Sequence, residues 1–293
     1  NAHLLRFDSV HGRFPADVQV DGDKIVINGK PILCTAIRDP KDLPHRELDI
    51  DIAMECTGIF ADKEKASAHL EAGAKRVLVS APATNADKTI VFGVNHDLLT
   101  KDDLVVSNAS CTTNCLSPVA KVLHDLVGIE KGMMTTIHSY TNDQPSLDQM
   151  HKDLYRGRAA AVSMIPTSTG AAKAVGLVLP ELNGKLDGIS VRVPTPNVSV
   201  VDLKFVSKKK TTPEEINAAI KAAADGPMKG VLGYTDQPNV SIDFVHDPHS
   251  SIFHLDQTKV MDGNFCSILT WYDNEWGFST RMADTALAMA KLI

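Results

Sequence analysis

Apolar residues in the first part of the chain recur as short runs, each followed by small or polar residues and then by helical spacing. Leu48 to Met54 runs into Glu55-Cys56-Thr57-Gly58, and Asp62 to Ala74 follows with Ala66, His69, Leu70 and Ala74 near one helical face. Arg76 to Ala83 is a second strand, Thr89 to Val94 a third, and Leu104 to Val106 a fourth that leads through Ser107 to Ser110 into Cys111. Upstream, Asp17 to Val20 and Lys24 to Ile27 alternate around Asp21-Gly22-Asp23, the signature of a hairpin. Apolar strands alternating with helices predict an α/β fold with a doubly wound parallel sheet, whose ligands sit beyond the carboxyl ends of the strands. Thr57, Gly58, Ser80 and Ala81 fall at those ends, where spacing alone reads them as turn residues.

Beyond Cys111 the pattern changes. Lys131 to Tyr140 reads as a strand, Asn142 to Ile165 as a long polar stretch holding Arg156 and Arg158, and Pro166 to Leu179 as a helix opened by proline. Ile189 to Val193, Val198 to Val206, Val240 to Val245, Ser251 to Asp256 and Phe265 to Tyr272 are strand-like, interrupted by one helix, Thr212 to Ala224, capped by Thr212-Pro213-Glu214-Glu215. Strands with few helices between them predict an α+β second domain with a mostly antiparallel sheet. Glu275 to Ile293 closes the chain as an amphipathic helix.

Composition narrows the class. The 293 residues suffice for two domains, and 43% hydrophobic with 23% charged residues describes an ordinary globular chain. A net charge of −6 and a pI near 6.0 argue against nucleic acid as the main partner, leaving room for a local basic pocket. No apolar run is long enough to span a bilayer and no secretory signal is visible, so no membrane partner is expected. The five cysteines are few and odd in number, which favours a reducing, cytoplasmic compartment. Cys34, Cys56 and Cys266 lie in apolar surroundings and are expected in the core; no Cys-x-x-Cys spacing suggests a metal. The chain opens at Asn1-Ala2-His3 with no Met and no opening strand, so reading is expected to start inside a longer protein.

The candidate chemistry lies at the change of pattern. Cys111 falls at a predicted helix start, where unpaired N–H groups and the helix dipole are expected to lower the thiol pKa. His138 ends the strand Met133 to Ile137, and a Cys–His pair serves covalent catalysis by forming the thiolate and moving a proton. Ser110, Thr112, Thr141, Thr169, Gly170 and Arg192 add hydroxyls, a backbone N–H and a guanidinium suited to phosphate. The residues thus point to a nucleophilic thiol enzyme with an anionic substrate.

Ser107-Asn108-Ala109-Ser110-Cys111-Thr112-Thr113-Asn114-Cys115, Thr135 to Gln144 (TTIHSYTNDQ), Ile165 to Lys173 (IPTSTGAAK), Arg192 to Asn197 (RVPTPN) and Trp271 to Gly277 (WYDNEWG) occur in one order that resembles phosphorylating glyceraldehyde-3-phosphate dehydrogenase. The resemblance implies that Cys111 attacks the aldehyde of glyceraldehyde 3-phosphate, that His138 takes the proton as hydride passes to NAD, and that inorganic phosphate releases 1,3-bisphosphoglycerate. It also implies that Thr141, Asp143 and Arg192 surround the substrate phosphate, that Ser110, Thr112, Thr169 and Gly170 surround the attacking phosphate, and that Thr57, Gly58, Ser80 and Asn274 contact the cofactor. By the same comparison residues 1–110 form a Rossmann-like dinucleotide-binding domain joined by helix 275–293, residues 111–274 form the catalytic domain, and the assembly is a homotetramer. Cys115 matches the second family cysteine, which is not the nucleophile. The stretch after His138 and Ser168-Thr169-Gly170 follow the glyceraldehyde-phosphate pattern rather than that of the related erythrose-4-phosphate dehydrogenases.

Three departures stand out. The strand, Gly-rich turn, helix and second strand with its acidic residue that open family members are absent, so the missing part is expected in the natural protein and NAD binding by this chain alone is expected to be severely weakened. Phe278 stands where Tyr is frequent, and Gln149-Met150 occupies a region that helps set cofactor choice, so NAD is the default with NADP left open. The competing readings are a thiol hydrolase or acyl-transferase without nicotinamide, and a catalytically impaired fragment.

Overall fold

The computed structural model describes residues 1–293. A four-stranded sheet carries the first half of the fold, in the spatial order Ile52–Glu55, Arg76–Val79, Val105–Ser107, Lys88–Thr89, with every pair parallel. Val77, Leu78, Val105 and Val106 are fully buried, because helices cover both faces of such a sheet. The closing helix Trp276–Ala290 returns to it, packing Met282 and Met289 against Leu78, Ile90 and Val106. Arg76 fastens this junction by donating to the carbonyls of Thr100, Lys101, Asp103 and Leu292.

The second sheet has eight strands. Its central strand, Ile129–Ser139, runs parallel to Leu186–Val193 on one side and antiparallel to Ser199–Ser207 on the other. Phe265–Tyr272 follows next, and Ile165–Ser168 forms one edge. The sheet is mixed, with antiparallel pairs in the majority. One face packs on the helices Cys111–Val127, Ala171–Val178 and Pro213–Asp225 around a core that includes Leu116, Leu123, Met134, Val175, Leu203, Phe205 and Ile216. Thr212 caps the last of these in a reciprocal capping box with Glu215, as its sequence predicts.

Several elements depart from expectation for local reasons. Pro166 lies in an edge strand, not a helix: the residue before a proline avoids α geometry, and an edge tolerates the missing N–H. The helix then starts at Ala171. Val240 to Val245 is a 3-10 turn over Ser241–Phe244, because the Asp243 carboxylate accepts the Val240 N–H at 2.8 Å. The Thr89 run is cut to Lys88–Thr89, since the Asn95 amide bonds the Val91 N–H and the Thr89 carbonyl in place of a neighbouring strand. Asp62 to Ala74 is broken at Ser67 into Lys63–Ala66 and Ala68–Glu71. The hairpin Val18–Asp21 and Lys24–Ile27 gains a third strand, Lys30–Leu33. Of the cysteines expected in the core only Cys266 is buried; Cys34 is half-exposed, and Cys56 is exposed one residue past a strand at the edge of its sheet. All five thiols are free.

Candidate active site

The helix that carries Cys111 begins abruptly. Ala109 takes a left-handed φ of 56°, turning the chain out of the strand Val105–Ser107, and Ser110 then caps the helix by accepting the Thr113 N–H at 3.1 Å. Cys111 is therefore the first helical residue, beside the carboxyl ends of the parallel strands.

His138 reaches it from the neighbouring sheet, with Nε2 3.5 Å from the Cys111 sulfur. The parallel register pairs His138 directly with Arg192, so both side chains leave the same face. Arg192 Nη1 lies 2.9 Å from His138 Nδ1 and donates to the Ser139 carbonyl at 3.0 Å. That carbonyl also faces Nδ1 at 2.7 Å. The tautomer that satisfies it carries its proton on Nδ1 and turns the Nε2 lone pair toward the thiol.

Burial pushes the Cys111 thiol up; Arg192 and the Thr112 hydroxyl and N–H pull it down without overcoming the burial. This corrects the expectation of a lowered thiol pKa: in a buried site, loss of water around the anion outweighs the helix N-terminus. Burial, and then the Arg192 charge, hold His138 down at about 4. At neutral pH the pair rests as thiol and neutral imidazole, a thiol with a proton acceptor in reach. Cys115 is pushed up to about 12 by burial and is inert as a nucleophile.

Beneath the pair, the Tyr272 hydroxyl bridges Thr112 Oγ1 at 2.9 Å and Thr136 Oγ1 at 2.8 Å. The Thr112 hydroxyl is thus committed to a buried chain, and the Ser110 hydroxyl to its cap. Thr169 Oγ1 accepts the Ala171 N–H, and Gly170 precedes the helix with no atom near the position a Cβ would take. On the other side, Thr141 bonds Gln144 through its N–H and hydroxyl, and Asp143 pairs with Arg156 at 2.5 Å. Burial works to raise the Asp143 pKa, but the Arg156 bond and charge prevail and keep it a carboxylate. Arg156 Nε lies 3.5 Å from the Asp153 carboxylate, whereas the Arg192 Nε is buried without a partner, a cationic donor left unsatisfied beside His138. The sequence gives Arg156 no role beyond a charge in a long polar stretch, and Tyr272 none beyond an inward position in an alternating strand.

Gly58 has a φ of 73°, and Thr57 donates its N–H and hydroxyl to Glu55, shaping the turn at the end of Ile52–Glu55. Ser80 lies at the same level, its N–H on the Glu55 carbonyl. The Asn108 N–H, three residues before Cys111, donates to the Val79 carbonyl, so this sheet end leads directly to Cys111. Asn274 faces His138 from the far side through Ser139. Phe278 is partly buried against the cluster around Leu78, and Met150 is fully exposed in the long loop.

Arg192→Gln removes the charge that lowers both Cys111 and His138. The expected result is an alkaline displacement of the pH profile for Cys111 alkylation, with the His138 titration moving up from about 4. Iodoacetamide kinetics and histidine NMR across pH check both; unchanged profiles contradict the electrostatic coupling.

Residues 110–274 match the family model of the glyceraldehyde 3-phosphate dehydrogenase C-terminal domain, and residues 1–63 match that of its NAD binding domain. The glyceraldehyde-3-phosphate dehydrogenase of Xanthobacter flavus is 73% identical over 292 residues, covering 100% of this chain and 87% of the relative. The Cereibacter sphaeroides enzyme is likewise 73% identical, with the same coverage, and the Geobacillus stearothermophilus enzyme is 58% identical over 99% of this chain and 87% of its own length. The chain belongs to the glyceraldehyde-3-phosphate dehydrogenase family of NAD-dependent phosphorylating oxidoreductases.

Proposed function

We propose that the chain oxidises glyceraldehyde 3-phosphate to 1,3-bisphosphoglycerate through a thioacyl intermediate on Cys111. The observation that carries this reading is Cys111 3.5 Å from His138 Nε2, with Arg192 against the other imidazole nitrogen. His138 Nε2 takes the thiol proton as the sulfur attacks the aldehyde carbon, and the N–H groups at the helix start stabilise the oxyanion. The imidazolium returns that proton to the oxyanion, and the imidazole then accepts it again from the hemithioacetal hydroxyl as the C–H electron pair leaves and a thioester forms. NAD, when bound, would supply the two-electron acceptor for this step. Phosphate oxygen then attacks the thioester carbon, the carbon–sulfur bond breaks, and Cys111 leaves as thiolate.

Arg192, Thr141 and Arg156, the last aligned by Asp143, suit the substrate phosphate; Ser110, Thr112, Thr169 and Gly170 suit the attacking phosphate, with N–H groups favoured where hydroxyls are already bonded. Thr57, Gly58 and Ser80 at the strand ends, together with Asn274, would hold the cofactor, and the Nδ2 edge of Asn274, without a protein partner, suits a contact with its nicotinamide. The cofactor of this reading is NAD, and the division into residues 1–110 with helix 275–293, against 111–274, is supported by a parallel sheet within residues 52–107 and an eight-stranded sheet within residues 129–272. The open face of the eight-stranded sheet exposes Met133, Ile189 and Phe265, which supports burial in a homotetramer. No helix is long and apolar enough to cross a membrane, and five free thiols accord with the cytoplasm.

The test is NADH formation from glyceraldehyde 3-phosphate and NAD. Without phosphate a burst limited to about one NADH per site is expected, and with phosphate a steady rate. A steady rate independent of phosphate contradicts phosphorolysis, and no NADH at all favours a hydrolase or an impaired chain.

A further inference from the structure

We propose that Ser139 and Ser199 are positioning residues that hold the Asn274 amide in fixed register with His138, so that base and nicotinamide anchor are set by one shared structure. This rests on reading Asn274 as the nicotinamide contact. Three adjacent strands of the central sheet converge here: Ser139 ends Ile129–Ser139, Ser199 opens Ser199–Ser207, and Asn274 follows Phe265–Tyr272.

Asn274 Oδ1 accepts the Ser139 hydroxyl at 2.9 Å and the Ser199 hydroxyl at 2.8 Å, while Ser199 Oγ accepts the Ser139 N–H at 3.0 Å. Ser139, Ser199 and Asn274 are 0%, 1% and 8% exposed, so water offers these groups little alternative. Turning the amide over would leave both buried hydroxyl hydrogens without an acceptor, and the network therefore selects one orientation. The Nδ2 edge is left with no protein partner.

Ser139 couples this clamp to the base. Its carbonyl faces His138 Nδ1 and accepts from Arg192, while its hydroxyl holds Asn274. Backbone geometry reinforces the arrangement: Val198, just before Ser199, takes a φ of 67°, a strained conformation for a β-branched residue. Around Asn274, Asp273 accepts the N–H groups of His246, Glu275 and Trp276, fixing the main chain while the serines fix the side chain.

Ser199→Ala, Ser199→Thr and Asn274→Ala test the proposal, with NAD affinity measured by calorimetry and Cys111 acylation by p-nitrophenyl acetate as a reaction that needs no cofactor. Ser199→Ala is expected to weaken NAD binding about 3- to 10-fold, with acylation within about two-fold of the parent. Ser199→Thr, which keeps the hydroxyl, recovers most of the affinity. If Asn274→Ala weakens NAD binding and Ser199→Ala does not, the positioning role is overturned while the reading of Asn274 stands. If Asn274→Ala leaves affinity unchanged, that reading fails and the proposal with it. A parallel fall of acylation and affinity in Ser199→Ala marks a general packing role and also overturns it.

Discussion

Cys111→Ser is expected to lower NADH formation by about 10³-fold or more while leaving the fold intact. The substitution is nearly isosteric, the helix keeps its Ser110 cap, and the core residues Leu116, Val119 and Leu123 beneath it are untouched. What disappears is the polarisable sulfur, which gives up its proton to Nε2 far more readily than a serine hydroxyl does. In the proposed mechanism the sulfur is also the leaving group that phosphate displaces, and an oxygen ester is harder to cleave than a thioester. Cys115 cannot substitute: it is fully buried, and burial pushes its pKa to about 12. A rate assay beside a thermal melt checks both halves, and appreciable turnover with an unchanged melt removes Cys111 as nucleophile.

His138→Asn is expected to reduce turnover by about 10²- to 10⁴-fold, the range for losing a positioned general base. In the proposed mechanism the imidazole has two tasks, accepting the thiol proton and then the hydroxyl proton, and its depressed pKa of about 4 keeps it unprotonated for both. Asparagine can still donate to the Ser139 carbonyl, so the strand end and Arg192 keep a partner, but it has no basic nitrogen. Iodoacetamide should still label Cys111, more slowly than in the parent at the same pH. Unimpaired NADH production by this variant contradicts the assignment of the base.

Much of this site is legible along the chain because its chemistry is local to strand and helix ends. Cys111 follows a strand and Ser110 is a cap, so a nucleophile at a helix start can be read from adjacent residues. His138 and Arg192 each end an apolar strand, and the sheet then pairs them. What is not legible depends on three-dimensional neighbours. Burial reverses the pKa shift that the helix start alone would give Cys111. Ser110 and Thr112 carry the right hydroxyls for phosphate, but only the packed structure shows these spent on Thr113 and Tyr272. Arg156 lies in a loop with no periodicity and gains its place through Asp143, Asp153 and the Ser168 carbonyl. Pro166 shows the limit of pattern within one element: a proline before a helix-like run reads as a first turn, yet the position is an edge strand.

Trapping the acyl-enzyme tests the chemistry most directly. The protein is mixed with glyceraldehyde 3-phosphate and NAD in phosphate-free buffer, quenched in acid, digested and mapped by mass spectrometry. The expected result is a 3-phosphoglyceroyl adduct on the peptide containing Cys111, formed in step with the NADH burst and lost when phosphate is added before the quench. NADH formation with the adduct on another residue, or with none on Cys111, would contradict a covalent mechanism at this thiol.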